Sequence, residues 1–337
     1  MESHSKSLLF LCCWLGLLSV STSAPRQVLY KLDSSWPLNT DVFTGKVFSV
    51  DIDDKTGEIY VSQRGVDNHP VVVFSEDGEL KRVFTFDTSI VSMIHGLRVF
   101  HNVSSGQTSV WVTDVGNATY GHTVKKISTD GKLELVLGTA GIAGSSLSPV
   151  QFGNVADLAF SEKGEMYVVD GDGGVNNRLL KLSQDFKVMW HVGEVNSTKD
   201  GNFDVPHSVE LDNYNRVWVA DRMNGRLQAF DADTGKFIGK WTSCFSVGQP
   251  YSVRMSKDKT HFIVALLQQS KILLVATPPS AGPIGDCNVL GSIDLPENTG
   301  PHLVGVSKST GAFYVAELNT QTCQKFVPIG LHRINID

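Results

Sequence analysis

The 337-residue chain is 41% hydrophobic, and its 29 basic residues against 35 acidic ones leave a formal net charge of −6. That balance provides no global positive field for a phosphate backbone, which argues against nucleic acid as a partner. The length suits one closed repeat array or two ordinary domains with a large buried core.

At the N-terminus, Lys6 precedes an apolar run from Leu8 to Val20, and small residues ending in Thr22-Ser23-Ala24 follow it. This is the layout of a secretory signal peptide. The run is too short to span a bilayer, and no later stretch reaches the roughly 18 apolar residues a membrane helix needs. The expected division is a signal peptide over 1–24 and a mature chain over 25–337. Cleavage after Ser23 is equally credible because Pro25 follows Ala24. The mature protein is expected outside the cell or in the lumen of the secretory pathway or a granule. Cleavage removes Cys12 and Cys13 and leaves Cys244, Cys287 and Cys323, an odd set of which one must stay free while two can pair. Asn102, Asn117 and Asn196 head Asn-x-Ser/Thr sequons in turn-like surroundings and are expected to carry glycans.

Past the leader, strand-like runs recur. SVDIDDKTGEIYVSQ, GLRVFHNVSSGQTSVWVTD, DLAFSEKGEMYVVDGD, SVELDNYNRVWVADR, SVRMSKDKTHFIVAL and LVGVSKSTGAFYVAEL each pass from an inner strand through a polar turn into a second, aromatic-bearing strand. No stretch sustains a 3.6-residue apolar period, so the chain reads as all-β. A repeat spacing of roughly 45 to 60 residues belongs to propeller blades, which must stack and close because each alone would expose both sheet faces. The sixth copy supplies three strands, and the orphan segment Gln27–Leu32 is expected to complete it as the outer edge. The prediction is a six-bladed β-propeller forming one domain. The aromatics Tyr60, Trp111, Tyr167, Trp218, Phe262 and Tyr314 should pack between blades. Asp114, Asp170 and Asp221 should accept turn hydrogen bonds.

Aligned on FSVDI, HGLRV, ADLAF, HSVEL, YSVRM and HLVGV, the inner strands place Phe48, His95, Ala156, His207, Tyr251 and His302 around the channel, with histidine on every second blade. Three imidazoles converging on one axis form a three-ligand metal site with an open position, and neutral imidazoles favour zinc. His69, His101, His122, His191, His261 and His332 share no such register.

These phrases resemble NHL repeats. The order HGLRV, VPHSVEL with WVADRMNGRLQAFD, then GPHLVGV resembles the lyase domain of peptidylglycine alpha-amidating monooxygenase along nearly the whole mature chain. The resemblance implies a six-bladed propeller that cleaves peptidyl-alpha-hydroxyglycine into a peptide amide and glyoxylate, with zinc on His95, His207 and His302. It also implies that Arg64, in Gln63-Arg64-Gly65, pairs with the substrate carboxylate bidentately. Two features of the family are not matched. Where the family has an aspartate after its third histidine, serving calcium and catalysis, this chain has Leu303; calcium is therefore disfavoured, although Val50 and Leu97 offer carbonyls. Where the family has a tyrosine base after the Asp-Gly of blade three, this chain reads Asp170-Gly171-Asp172-Gly173-Gly174-Val175. Asp172 and Tyr251 are candidate substitutes, with a turn role the plainer expectation for Asp172.

A positioned general base is worth about 10²- to 10⁴-fold in rate. The expected function is therefore that of an exported, glycosylated, monomeric propeller, non-catalytic or weakly active, binding a peptide or carboxylate ligand or an extracellular protein at the channel mouth. The alternatives are an active zinc lyase on peptidyl-alpha-hydroxyglycine or a related carbinolamide, and a metal-free interaction propeller. No RING-type Cys/His array is present, which argues against ubiquitin-ligase activity in this chain.

Overall fold

A computed structural model describes residues 29–65, 69–85, 90–103, 105–116, 120–193 and 197–329. The expected signal peptide, Asn117 and Asn196 lie outside the described residues. Among the described residues, twenty-four strands form six four-stranded antiparallel sheets, each a blade. The innermost strands are Gly45–Asp53, Ile94–Asn102, Val155–Phe160, Pro206–Leu211, Pro250–Met255 and Pro301–Val306, for blades one to six. Burial follows position in the blade. Second strands such as Met166–Asp170, Arg216–Asp221 and His261–Leu266 are buried at every residue, because a neighbouring blade covers each face. Outer strands such as Val188–Val192 and Phe237–Trp241 alternate between covered and exposed positions, having one wet side.

The apolar residues gather into six clusters, one at each junction between adjacent blades. Tyr60, Trp111, Tyr167, Trp218, Phe262 and Tyr314 all belong to them, as expected. Each fully buried large apolar side chain contributes about 1.5–3 kcal/mol relative to exposure, so stability is spread around the ring. Blade five departs in one detail. Trp111 and Trp218 face Arg98 and Glu210 across the sheet, whereas the residue facing Arg254 is Ile263. Phe262 is shifted by one position, and therefore points to the opposite face, packing on Trp218 at 5.0 Å.

The ring closes as expected, through an N-terminal strand in blade six. That strand is Tyr30–Asp33, pairing antiparallel with Cys323–Pro328 from Tyr30↔Pro328 to Asp33↔Lys325. The cysteine left open by the sequence is also assigned: Cys244 and Cys287 form a disulfide, and Cys323 is free and buried. Among the described residues no helix is long and apolar enough to cross a membrane.

Candidate metal centre

Each inner strand carries a register irregularity against its second strand, and in every blade the interruption falls at the ring position. Phe48, Ala156, His207 and Tyr251 are the residues skipped in their blades, and the gap holds His95 with Gly96 in blade two and His302 with Leu303 in blade six. A bulge turns a side chain out of the regular alternation. Here the six bulges deliver six side chains to the channel.

The three imidazoles are fixed by the blades that lack one. His95 Nδ1 donates to the Ala156 carbonyl, His207 Nδ1 to the Tyr251 carbonyl and His302 Nδ1 to the Phe48 carbonyl, each at 2.7 Å. A carbonyl can only accept, so the proton sits on Nδ1 and the lone pair on Nε2, the tautomer a metal ligand requires. The ring centroids are 4.8–4.9 Å apart. The donor nitrogens lie within 4.8 Å of one another. Closing on a zinc ion at about 2.0–2.1 Å asks each nitrogen to move by at most about 0.8 Å. His207 Nε2 is buried with no partner, the orphaned acceptor expected where an ion belongs. Burial first, and His95 second, push His207 down to about 3 and His302 well below the ordinary histidine range, so both hold free lone pairs at neutral pH. The residues fit zinc.

The aspartates that end the second strands brace this arrangement. Asp114 accepts from the Met93 amide at 2.7 Å, Asp170 from Gly153 at 2.8 Å and Asp221 from Asp204 at 2.8 Å. These amides lie just upstream of His95, Ala156 and His207. Lys125, Arg178 and Arg226 neutralise the three carboxylates. The turn role read from the sequence holds.

Asp172 differs from its expected turn role. Its Oδ2 lies 3.2 Å from His95 Nε2 and its Oδ1 3.3 Å from Arg222 Nη1. Burial alone would raise this carboxyl, but positive charge at His95, with His207 and Arg222 behind it, outweighs that and holds it well below the usual carboxylate range. The loop geometry follows from its glycines. Gly173 has φ +74°, and a Cβ on Gly171 would meet Pro206 Cδ at 2.6 Å. The Gly171 and Asp172 amides both donate to the Asn154 carbonyl at 2.9 Å, tying the loop to the entry of blade three's inner strand. Tyr251, the other candidate base, is engaged elsewhere: its ring lies 4.9 Å from His207, and Gln268 donates to its hydroxyl at 2.8 Å. Arg64 stacks 3.6 Å over Phe48 and donates from Nε to the Ile94 carbonyl at 2.7 Å, leaving Nη2 buried without a partner. Burial lowers its pKa to about 10, against the pull of Asp172 and Asp114, so it remains a cation.

Over 304 residues the chain is 48% identical to NHL repeat-containing protein 3 of Homo sapiens, covering 90% of this chain and 85% of that one. The chain belongs to the NHL repeat-containing protein 3 family. More distantly, it is 29% identical over 221 residues to the probable peptidyl-alpha-hydroxyglycine alpha-amidating lyase of Caenorhabditis elegans, 61% of this chain and 56% of that one. This member of the family is thus an NHL propeller related to the amidating-lyase domains. A solved virginiamycin B lyase from Staphylococcus aureus shares the fold, with TM-score 0.55 and 14% identity over 87% of this chain and 86% of that one. The chain matches no protein-family model.

Two sets of residues escaped the sequence reading. Arg222 is one; it contacts Asp172 and lies 4.8 Å over Tyr251. The other lies one to three residues beyond the ring positions. Asp157 Oδ2 accepts from Arg254 Nη2 at 2.9 Å and Ser208 Oγ at 3.0 Å, while Arg98 Nη2 donates to the Val209 carbonyl at 3.0 Å. Arg98, Asp157 and Arg254 are all buried. The signal was present: charged residues on inner strands otherwise built of small and apolar ones. Leu303, at the family's aspartate position, is fully buried.

Proposed function

We propose that this protein is an exported, glycosylated NHL propeller that holds one zinc ion on His95, His207 and His302 and binds a carboxylate-bearing ligand, such as a peptide C-terminus, at the channel mouth without efficient turnover. The observation that carries the reading is the three-fold pattern of Nδ1–H to carbonyl bonds, which leaves three Nε2 lone pairs aimed inward. Zinc, when bound, supplies a Lewis acid and a fixed positive charge. Arg64 supplies the carboxylate recognition: its guanidinium lies 3.6 Å over the Phe48 ring with one buried nitrogen unpartnered, so an incoming carboxylate finds a donor already desolvated. Calcium is disfavoured because Leu303 brings no carboxylate to the channel and Asp157, a buried inner-strand carboxylate, is already neutralised by Arg254 and Arg98. The Cys244–Cys287 disulfide supports residence in an oxidising compartment, and the half-buried Asn102 lies at a strand end where a glycan can project.

Turnover is expected to be weak because Leu303 contributes no carboxylate and Tyr251 is tied to Gln268. An active zinc lyase is favoured by one observation, the approach of Asp172 to His95, which puts a carboxylate within reach of the centre. Incubation with a peptidyl-alpha-hydroxyglycine separates the two readings. The proposal predicts binding that weakens at least about 10-fold in Arg64→Ala, with glyoxylate release at background. Catalytic glyoxylate release abolished by Arg64→Ala would establish the lyase instead.

A further inference from the structure

We propose that Asp172 is itself the fourth ligand of the channel metal, closing the centre as a His₃Asp site, so that a bound carboxylate meets Arg64 and not the ion. This rests on the metal-binding reading above and deepens it.

Two ligands of a tetrahedral zinc, each about 2.0–2.1 Å from the ion, sit about 3.3–3.4 Å apart. The 3.2 Å between Asp172 Oδ2 and His95 Nε2 is close to that spacing. The contact needs a positive particle between its partners. His95 Nδ1 already donates to the Ala156 carbonyl, so its Nε2 presents a lone pair to an anionic oxygen. A shared metal ion resolves that opposition without adding a second proton to the ring. Asp172 is also built to stay in place. Arg222 holds its Oδ1 at 3.3 Å, Asn154 Nδ2 donates to its backbone carbonyl at 3.0 Å, and the Asn154 carbonyl accepts its amide at 2.9 Å. A carboxylate so braced suits a ligand better than a proton shuttle, which must exchange partners during turnover. The consequence is chemical: three histidines and one aspartate complete a tetrahedron, and no position remains for a substrate hydroxyl.

Cobalt(II) replaces zinc and reports its coordination by visible absorption. The full chain is loaded with cobalt, its affinity measured, and the spectrum recorded while acetate is added. In wild type the four-coordinate spectrum is expected to resist acetate. In Asp172→Ala, metal affinity should fall by at least about 10-fold, since even outer-shell partners of ligands are worth about 10- to 100-fold, and acetate should now shift the spectrum by entering the vacated position. Asp172→Asn gives the same comparison with less change in shape, and the wild-type titration stands alone should either variant fail to fold. A wild-type spectrum that shifts with acetate, or unchanged affinity in both variants, overturns the proposal while leaving the three-histidine centre intact. Failure of wild type to bind cobalt or zinc overturns the centre itself, and this proposal with it.

Discussion

Single side chains decide whether the ring positions stay where the bulges put them. Asp221 is the clearest case. It accepts the Asp204 amide, Arg226 Nε at 2.6 Å, Asn224 at 2.9 Å and Gln228 at 3.0 Å, and the bonds from Arg226 and Gln228 are buried. Removing the carboxylate strips the buried guanidinium of its main partner and frees the backbone upstream of His207. Breaking a buried pair by removing one partner costs about 3–5 kcal/mol. Asp221→Ala is therefore expected to lower unfolding free energy by that amount in urea denaturation with an unchanged slope; a loss below about 1 kcal/mol would show that the pair does not brace the blade. Legibility is uneven at this scale. His95, His207 and His302 could be found by aligning short phrases, because the repeat keeps one residue per blade on the channel. The aim of Asp172 could not, since it depends on a tight glycine turn packed against Asn154 and Pro206, contacts between segments far apart in the chain.

At the scale of a strand or blade, the repeated anchor shows what happens when one part is missing. Glu317 takes the position of Asp114, Asp170 and Asp221 in blade six, facing Pro301 as Asp221 faces Pro206. Among the described residues no lysine or arginine pairs with it; Thr320 donates to one oxygen and the other is buried without a partner. Burial raises its pKa to about 7 from an ordinary 4.5. The proton is therefore retained by the folded protein when the unfolded chain has already released it. Stability from this group is fully present below pH 4.5 and is lost as pH rises through about 7, a change on the order of 3 kcal/mol. Glu317→Gln should flatten that fall, making the variant more stable than wild type at pH 8 but not at pH 4; thermal unfolding at both values checks it, and identical profiles would contradict it. The number and order of strands were readable from alternation and turns. The bulges were not, because a one-residue skip leaves the hydrophobic pattern nearly intact on either side, and blade five shows the same limit in the slip between Phe262 and Ile263.

For the molecule as a whole, closure turns sequence periodicity into convergence. Six blades joined through six apolar junctions, with Tyr30–Asp33 completing the last, place residues more than 200 positions apart around one axis. That is why a register of single letters could indicate a metal centre. Beyond the ring positions, the buried Asp157 is already paired with Arg254 and Arg98. Three alternate blades can thus hold one ion between them. Elemental analysis of the purified full chain tests this most directly. About one zinc per chain in wild type, falling to background in His207→Ala while the fold persists by circular dichroism, is the predicted result. Wild-type protein that is metal-free after dialysis against micromolar zinc, or a His207→Ala variant that keeps its zinc, would contradict it.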